Sequence, residues 1–166
     1  GYIGRECDGG YAEYIKLPSE NFIPLPETMN YKKHAAEIGV ICDAIATPLK
    51  VTRKARVMPT DTVAVIGAGG GLGAHMLLKG KNQPLVLETV PDPVPGPGEA
   101  VARVLSCGAG LTIHHVRAGR VPVQYPRILG HEITAEIVAT GAGVSRLKAG
   151  DAVTAYFYLT CGHCYW

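Results

Sequence analysis

The sequence predicts a mainly β domain with a few short helices. Three observations carry that expectation. Glycine (21) and proline (12) are abundant, while charged residues make up 18% and aromatic residues 7% of the 166 residues. Such a chain is rich in turns, which a helical bundle is not. Several short stretches alternate apolar and polar residues between Gly, Pro and Asp, the period of a half-buried strand. Hydrophobic residues reach 47%, enough for one domain with a real core and too many for a disordered chain.

The elements follow in chain order. DGGYAEYIKLP opens on a turn signal, and Tyr11 to Leu17 reads as a strand. SENFIPLP reads as a short extended piece limited by Pro24 and Pro26. Between Tyr31 and Lys50 the pattern is helical, with Pro48 at a bend or helix start. Asp61 to Ile66 is a compact apolar strand running into the glycine-rich GAGGGLG. A helix should follow, but the pattern changes near Met76 and Leu77. From there LLKGKNQPLVLETV reads as a strand, Pro91 to Gly98 as a turn, and EAVARVLSCG as a strand. RILGHEITAEIVATGAGVSRLKAGDAVTAYFY gives two more strands around a glycine-rich turn and a KAGD turn. Tyr156, Phe157 and Tyr158 should alternate in a strand, and Tyr11, Tyr14 and Phe22 read as packing residues. Arg53, Lys54 and Arg56 read as a solvated turn.

Composition excludes several function classes. Sixteen basic and 14 acidic side chains leave a net charge of +2, so nothing favours a nucleic-acid or membrane-surface partner. No apolar run approaches a transmembrane length. The segment GYIGRECDGG lacks the basic and apolar regions of a signal peptide, so a cytoplasmic protein is expected. Five scattered cysteines do not read as a disulfide framework.

PGPGEAVARVLSCG, then PRILGHEITAEIVATGAGVSRLKAGDAV, then CGHC resembles the opening of the zinc-type medium-chain alcohol dehydrogenases. DGGYAEYIKLPSENFIPLPE, a helix and VAVIGAGGGLG resemble the later part of that family. The resemblance implies a GroES-like, partly open β-barrel as a single domain over residues 1–166. It also implies a circular permutation, in which 1–76 is the family's later half and 77–166 its N-terminal half. Only a remnant of one Rossmann βα unit would remain. Chain ends that meet in space can be opened, and others joined, without changing the core.

The same resemblance implies a catalytic zinc held by three protein ligands, with an open position for the alcohol oxygen. His131 of the GHE motif matches the family histidine, and Asp43 falls at the third ligand, with Cys42 one residue away. Glu132 matches the nearby carboxylate. Gly110 stands where the loop cysteine belongs, and Ile113 replaces the aspartate beside Thr112. The site is therefore either metal-free or built from another set, such as His131, Asp43 and His114. A hydrogen-bonded histidine at a strand end is the plainer reading of His131. Thr112 and His115 match the family's proton relay, in which a hydroxyl both donates and accepts. An exposed polar pair on a loop is the alternative. Gly67, Gly69, Gly70 and Gly73 match the turn that cradles the pyrophosphate of NAD(P). The adenosine pocket needs strands that do not follow, so this turn reads as a linker without tight cofactor binding. Cys161 and Cys164 match half of a four-cysteine structural zinc site. Cys7 and His163 could add ligands, against a reading of free thiols.

The resemblance thus implies descent from an NAD(P)-dependent oxidoreductase acting on small-molecule alcohols or carbonyls. The alternative is a permuted, trimmed catalytic-domain scaffold without dehydrogenase activity. That scaffold could bind a metal or associate with copies of itself through an uncovered apolar surface, and a homo-oligomer is expected.

Overall fold

The computed structural model describes residues 1–43, 46, 49, 53, 77–86, 88 and 91–159. The expected strand Asp61 to Ile66, the glycine-rich turn with Gly67, Gly69, Gly70 and Gly73, and the Cys161 and Cys164 pair lie outside the described residues, as does His163.

The protein is mainly β. Strand β1 (Tyr14–Pro18) is followed by a 3-10 turn (Ser19–Asn21) and β2 (Phe22–Pro24). Helix α1 (Ala35–Gly39) runs into a second 3-10 turn (Val40–Cys42). Next come β3 (Leu77–Leu78), β4 (Leu85–Val86), β5 (Glu99–Gly108) and α2 (Leu111–Arg117). Strands β6 (Arg127–Ile128), β7 (Glu132–Thr140) and β8 (Ala152–Ala155) follow. An antiparallel sheet in the order β1-β5-β7-β8-β2 forms the body, and a small sheet in the order β4-β3-β6 sits beside it.

The large sheet mixes chain from both sides of the glycine-rich turn. β1 pairs with β5, Tyr14 opposite Arg103, and β2 pairs with β8, Phe22 opposite Ala155. Alternation puts Ile15 and Leu17 of β1 on the same face as Ala100 and Ala102 of β5. Phe22, Ile133, Ala135, Ile137 and Val153 complete that core. Burying a side chain such as Phe22 contributes about 1.5–3 kcal/mol.

Several elements depart from the sequence expectation, each for a local reason. β1 starts at Tyr14, three residues late. The amides of Gly9, Gly10 and Tyr11 instead donate to the carbonyls of Ile128, Gly130 and Leu129, each at 2.9 Å. That clamp holds the backbone leading into His131. The helical stretch expected between Tyr31 and Lys50 begins as a turn, continues as the five-residue α1 and the 3-10 turn, and is helical again at Ala46 and Leu49. α1 lies so close to β7 that a Cβ on Gly39 would sit 2.8 Å from the Glu132 carbonyl oxygen. Gly39 therefore lets the following turn reach the start of β7. β8 ends at Ala155, so Tyr156 to Tyr158 is not a regular strand. Its amides and carbonyls turn to the Asn21 region and to Tyr2. Phe157 is core, whereas Tyr156 and Tyr158 are exposed. Tyr11 and Phe22 are buried, as expected. Among the described residues no helix is long and apolar enough to cross a membrane.

Candidate metal centre

His131 is placed by the glycine before it. Gly130 has φ +96°, a left-handed conformation that L side chains rarely adopt. A Cβ there would also lie 2.5 Å from Cys107 Sγ and 2.6 Å from the Tyr11 ring. The turn delivers the His131 ring into a buried position, with the side chain 3% exposed. Asp43, 88 residues earlier, ends the 3-10 turn after α1 and puts Oδ2 3.0 Å from His131 Nε2. Glu132 opens β7 and is buried. One donor atom from each of Asp43, His131 and Glu132 lies within 4.8 Å of the others.

These three groups fit a small divalent cation. Donors bonded to such an ion at about 2.0–2.1 Å stand about 3.3 Å apart at a tetrahedral site. The Asp43–His131 separation is close to that spacing. The electrostatics agree with a site short of positive charge. Burial pushes the His131 imidazole below its ordinary value, partly offset by Asp43. It is therefore neutral at pH 7, the form that offers a lone pair. Burial, and then the Asp43 carboxylate, pushes Glu132 upward. Two carboxylates sharing a desolvated site repel each other unless a proton or a cation intervenes.

The other candidates stand as follows. Cys42 is not among the three clustered groups. Its thiol is buried 3.3 Å from Thr154 Oγ1, and Thr154 in turn donates to the Ile133 carbonyl at 3.0 Å. The 3-10 turn points Cys42 into the core and Asp43 into the site. His114 is exposed and stands outside the donor group. Cys107 packs behind the site, and burial pushes its thiol up to about 12. The segment with Gly110, Thr112 and His115 is helix α2 rather than a loop, with Gly110 at its N-cap. Gly110 faces the Glu132 carboxylate. A Cβ on it would lie 3.4 Å and 3.5 Å from the two oxygens. Thr112 is half-buried and its hydroxyl bonds to the Tyr2 phenol. His115 accepts at Nδ1 from the Arg120 guanidinium at 2.9 Å. Cys7 is half-buried, with a thiol that burial pushes upward.

Tyr2 is the site residue that the sequence did not single out. Its phenol oxygen is 3.2 Å from His131 Nε2. Its ring packs edge-on against His131, with centroids 5.0 Å apart, and against Phe157 and Tyr158. Its backbone bridges Tyr158. The available signal was indirect: an aromatic residue near the end of the chain expected to meet the 156–166 region.

Residues 96–166, which include the His131–Glu132 pair, match the model of the alcohol dehydrogenase GroES-like domain. This match and the relatives below support kinship with the zinc-type medium-chain alcohol dehydrogenases. The chain is 41% identical over 93 residues to the L-threonine 3-dehydrogenase of Streptomyces avermitilis, covering 53% of this chain. It is 32% identical over 112 residues to the L-threonine 3-dehydrogenase of Pyrococcus horikoshii, covering 65% of this chain. It is also 41% identical over 73 residues to the L-galactonate-5-dehydrogenase of Escherichia coli, covering 43% of this chain. The chain spans about a quarter of the length of these relatives, at 27%, 29% and 22%. The crystal structure of AibC aligns with a TM-score of 0.49 at 35% identity, over 54% of this chain and 26% of that one.

Proposed function

We infer that this chain is the metal-binding catalytic part of a dehydrogenase for small-molecule alcohols or carbonyls, its two halves joined in permuted order. The observation that carries the reading is the convergence of Asp43, His131 and Glu132 donors within 4.8 Å, from segments far apart in the chain. The metal is zinc by family. When bound, it would act as a Lewis acid on the oxygen of an alcohol or carbonyl. The chain's own groups then divide the remaining work. His131 stays neutral through burial, Asp43 and Glu132 supply negative charge, and the Thr112 hydroxyl donates or accepts a proton beside the site. Names of the relatives support substrates bearing a hydroxyl on carbon. The hydride acceptor would be NAD(P)+, as in the family, held no more than weakly by the glycine-rich turn. The permuted order is supported by β1 and β2 flanking β5, β7 and β8 in one sheet. The Leu159 amide donating to the Gly1 carbonyl at 2.9 Å supports it as well.

A second reading is favoured by Gly110, which offers no thiolate to the site. The chain would then be a folded scaffold that binds a metal without dehydrogenase activity, and that associates with its own copies. One experiment tests both. Metal content is measured on purified protein after dialysis against a weak chelator, followed by alcohol oxidation with NAD+ or NADP+. One zinc per chain, absent in His131→Ala, with turnover supports the dehydrogenase. One zinc without turnover supports the scaffold. No zinc in the wild-type protein overturns the metal centre.

A further inference from the structure

The Tyr2 phenol stands where a fourth donor belongs. Its oxygen is 3.2 Å from His131 Nε2, as Asp43 Oδ2 is at 3.0 Å. Both values match the roughly 3.3 Å that separates donors around one small divalent ion. Asp43 and Glu132 also act electrostatically on this phenol. It is not placed there by chance packing alone. The backbone bridge to Tyr158 fixes its Cα, the Arg5 and Glu6 amides donate to its carbonyl, and three rings fix its plane. His131 Nε2 carries either an N–H, which the Asp43 carboxylate can accept, or a lone pair, to which the Tyr2 hydroxyl can donate, so one tautomer cannot satisfy both. An ion seated among them replaces both hydrogen bonds, and the two oxygens are left facing it.

We propose that Tyr2 is an oxygen ligand of this centre, a fourth donor beside Asp43, His131 and Glu132. The inference rests on the metal-binding reading above and adds a ligand to it. The set becomes one imidazole, two carboxylates and one phenolate, a substrate oxygen enters as a fifth ligand, and the phenol proton is released to solvent as the ion binds. Phenolate is a hard donor, so the centre favours ions that accept oxygen ligands over soft, thiolate-seeking ones.

The test uses the whole chain and two probes. Zinc affinity is measured by competition with a chromophoric chelator. Iron(III), supplied as a weak chelate, reports a phenolate ligand by its visible phenolate-to-metal charge-transfer band. Wild-type protein should bind one ion and show the band. Tyr2→Phe should keep the ring packing and the unfolding midpoint, lose the band and bind zinc at least tenfold more weakly. Tyr2→His, which keeps a ring and a donor, should recover affinity without the band. An ion bound with no band, or with equal or tighter affinity in Tyr2→Phe, overturns the ligand role and leaves the three-donor centre standing. Failure of the wild-type protein to bind either ion overturns both readings.

Discussion

Asp43 Oδ2 and His131 Nε2 lie 3.0 Å apart although 88 residues separate them in the chain. Gly39 and Gly130 make that meeting geometric rather than accidental. One allows α1 to touch β7, and the other turns the backbone ahead of His131. Asp43→Asn keeps the shape and removes the charge. Zinc affinity should fall at least tenfold, about 1.4 kcal/mol, by competition with a chelator. An unchanged affinity would remove Asp43 from the donor set.

Gly110 marks the converse experiment. It has φ −65°, open to any L residue, and a Cβ there makes ordinary contact with the Glu132 carboxylate. Gly110→Cys adds a thiolate donor at the edge of the site without backbone strain. Cadmium, a thiolate-seeking ion, should bind at least tenfold more tightly, and the cobalt(II) form should gain a thiolate charge-transfer band. A cobalt spectrum identical to wild type would show that this corner does not face the ion.

The pH dependence of the metal-free protein separates His131 from Glu132. The folded state lowers the His131 pKa, so its contribution is present above the ordinary 6.5 and is lost as pH falls through the depressed value. Glu132 is raised, so its contribution is present below 4.5 and is lost as pH rises through the raised value. Thermal unfolding in chelator should therefore show wild type losing stability below pH 6.5 and His131→Gln losing less. Glu132→Gln should be more stable than wild type at pH 7, because it carries no buried charge. The reverse order at pH 7 would contradict the raised Glu132.

Much of this was legible in the sequence because its signals are local. The alternation in β5 and β7 gave two central strands, and the family resemblance at GHE and Asp43 named three side chains that the fold brings within 4.8 Å of one another. Other features depended on tertiary contact. The β1 start moved because Gly9 to Tyr11 spend their amides on Ile128 to Gly130. The choice of Asp43 over Cys42 followed from Thr154, which engages the Cys42 thiol from another strand. Tyr2 enters the site through a bridge to Tyr158, a pairing of distant segments that no local period encodes.

Gly130 should tolerate no side chain. Gly130→Ala puts a Cβ into Cys107 Sγ and the Tyr11 ring at a positive φ. Strain and overpacking together should cost about 2–4 kcal/mol in urea unfolding. A cost below about 1 kcal/mol would mean that the Cys107 and Tyr11 side chains move aside freely. Cys107→Ala in the same chain would relieve only the sulfur contact, and should recover part of the loss.

Asn21 tests whether the aromatic wall of the site depends on a single latch. Its side chain is fully buried, and Nδ2 donates to the carbonyls of Tyr156 at 2.8 Å and Tyr158 at 2.6 Å. Those bonds hold the stretch whose Phe157 ring packs on His131 and Tyr2, and whose Tyr158 backbone bridges Tyr2. Asn21→Ala leaves two carbonyls unpaired and should cost about 1–3 kcal/mol. Asn21→Asp removes the donor while keeping the volume, and should cost at least as much by burying a charge. If the latch orders the site, amide exchange at Tyr2 and Tyr158 should quicken in Asn21→Ala by more than at Ile15 or Leu17. Equal acceleration throughout would make Asn21 a contributor to global stability alone.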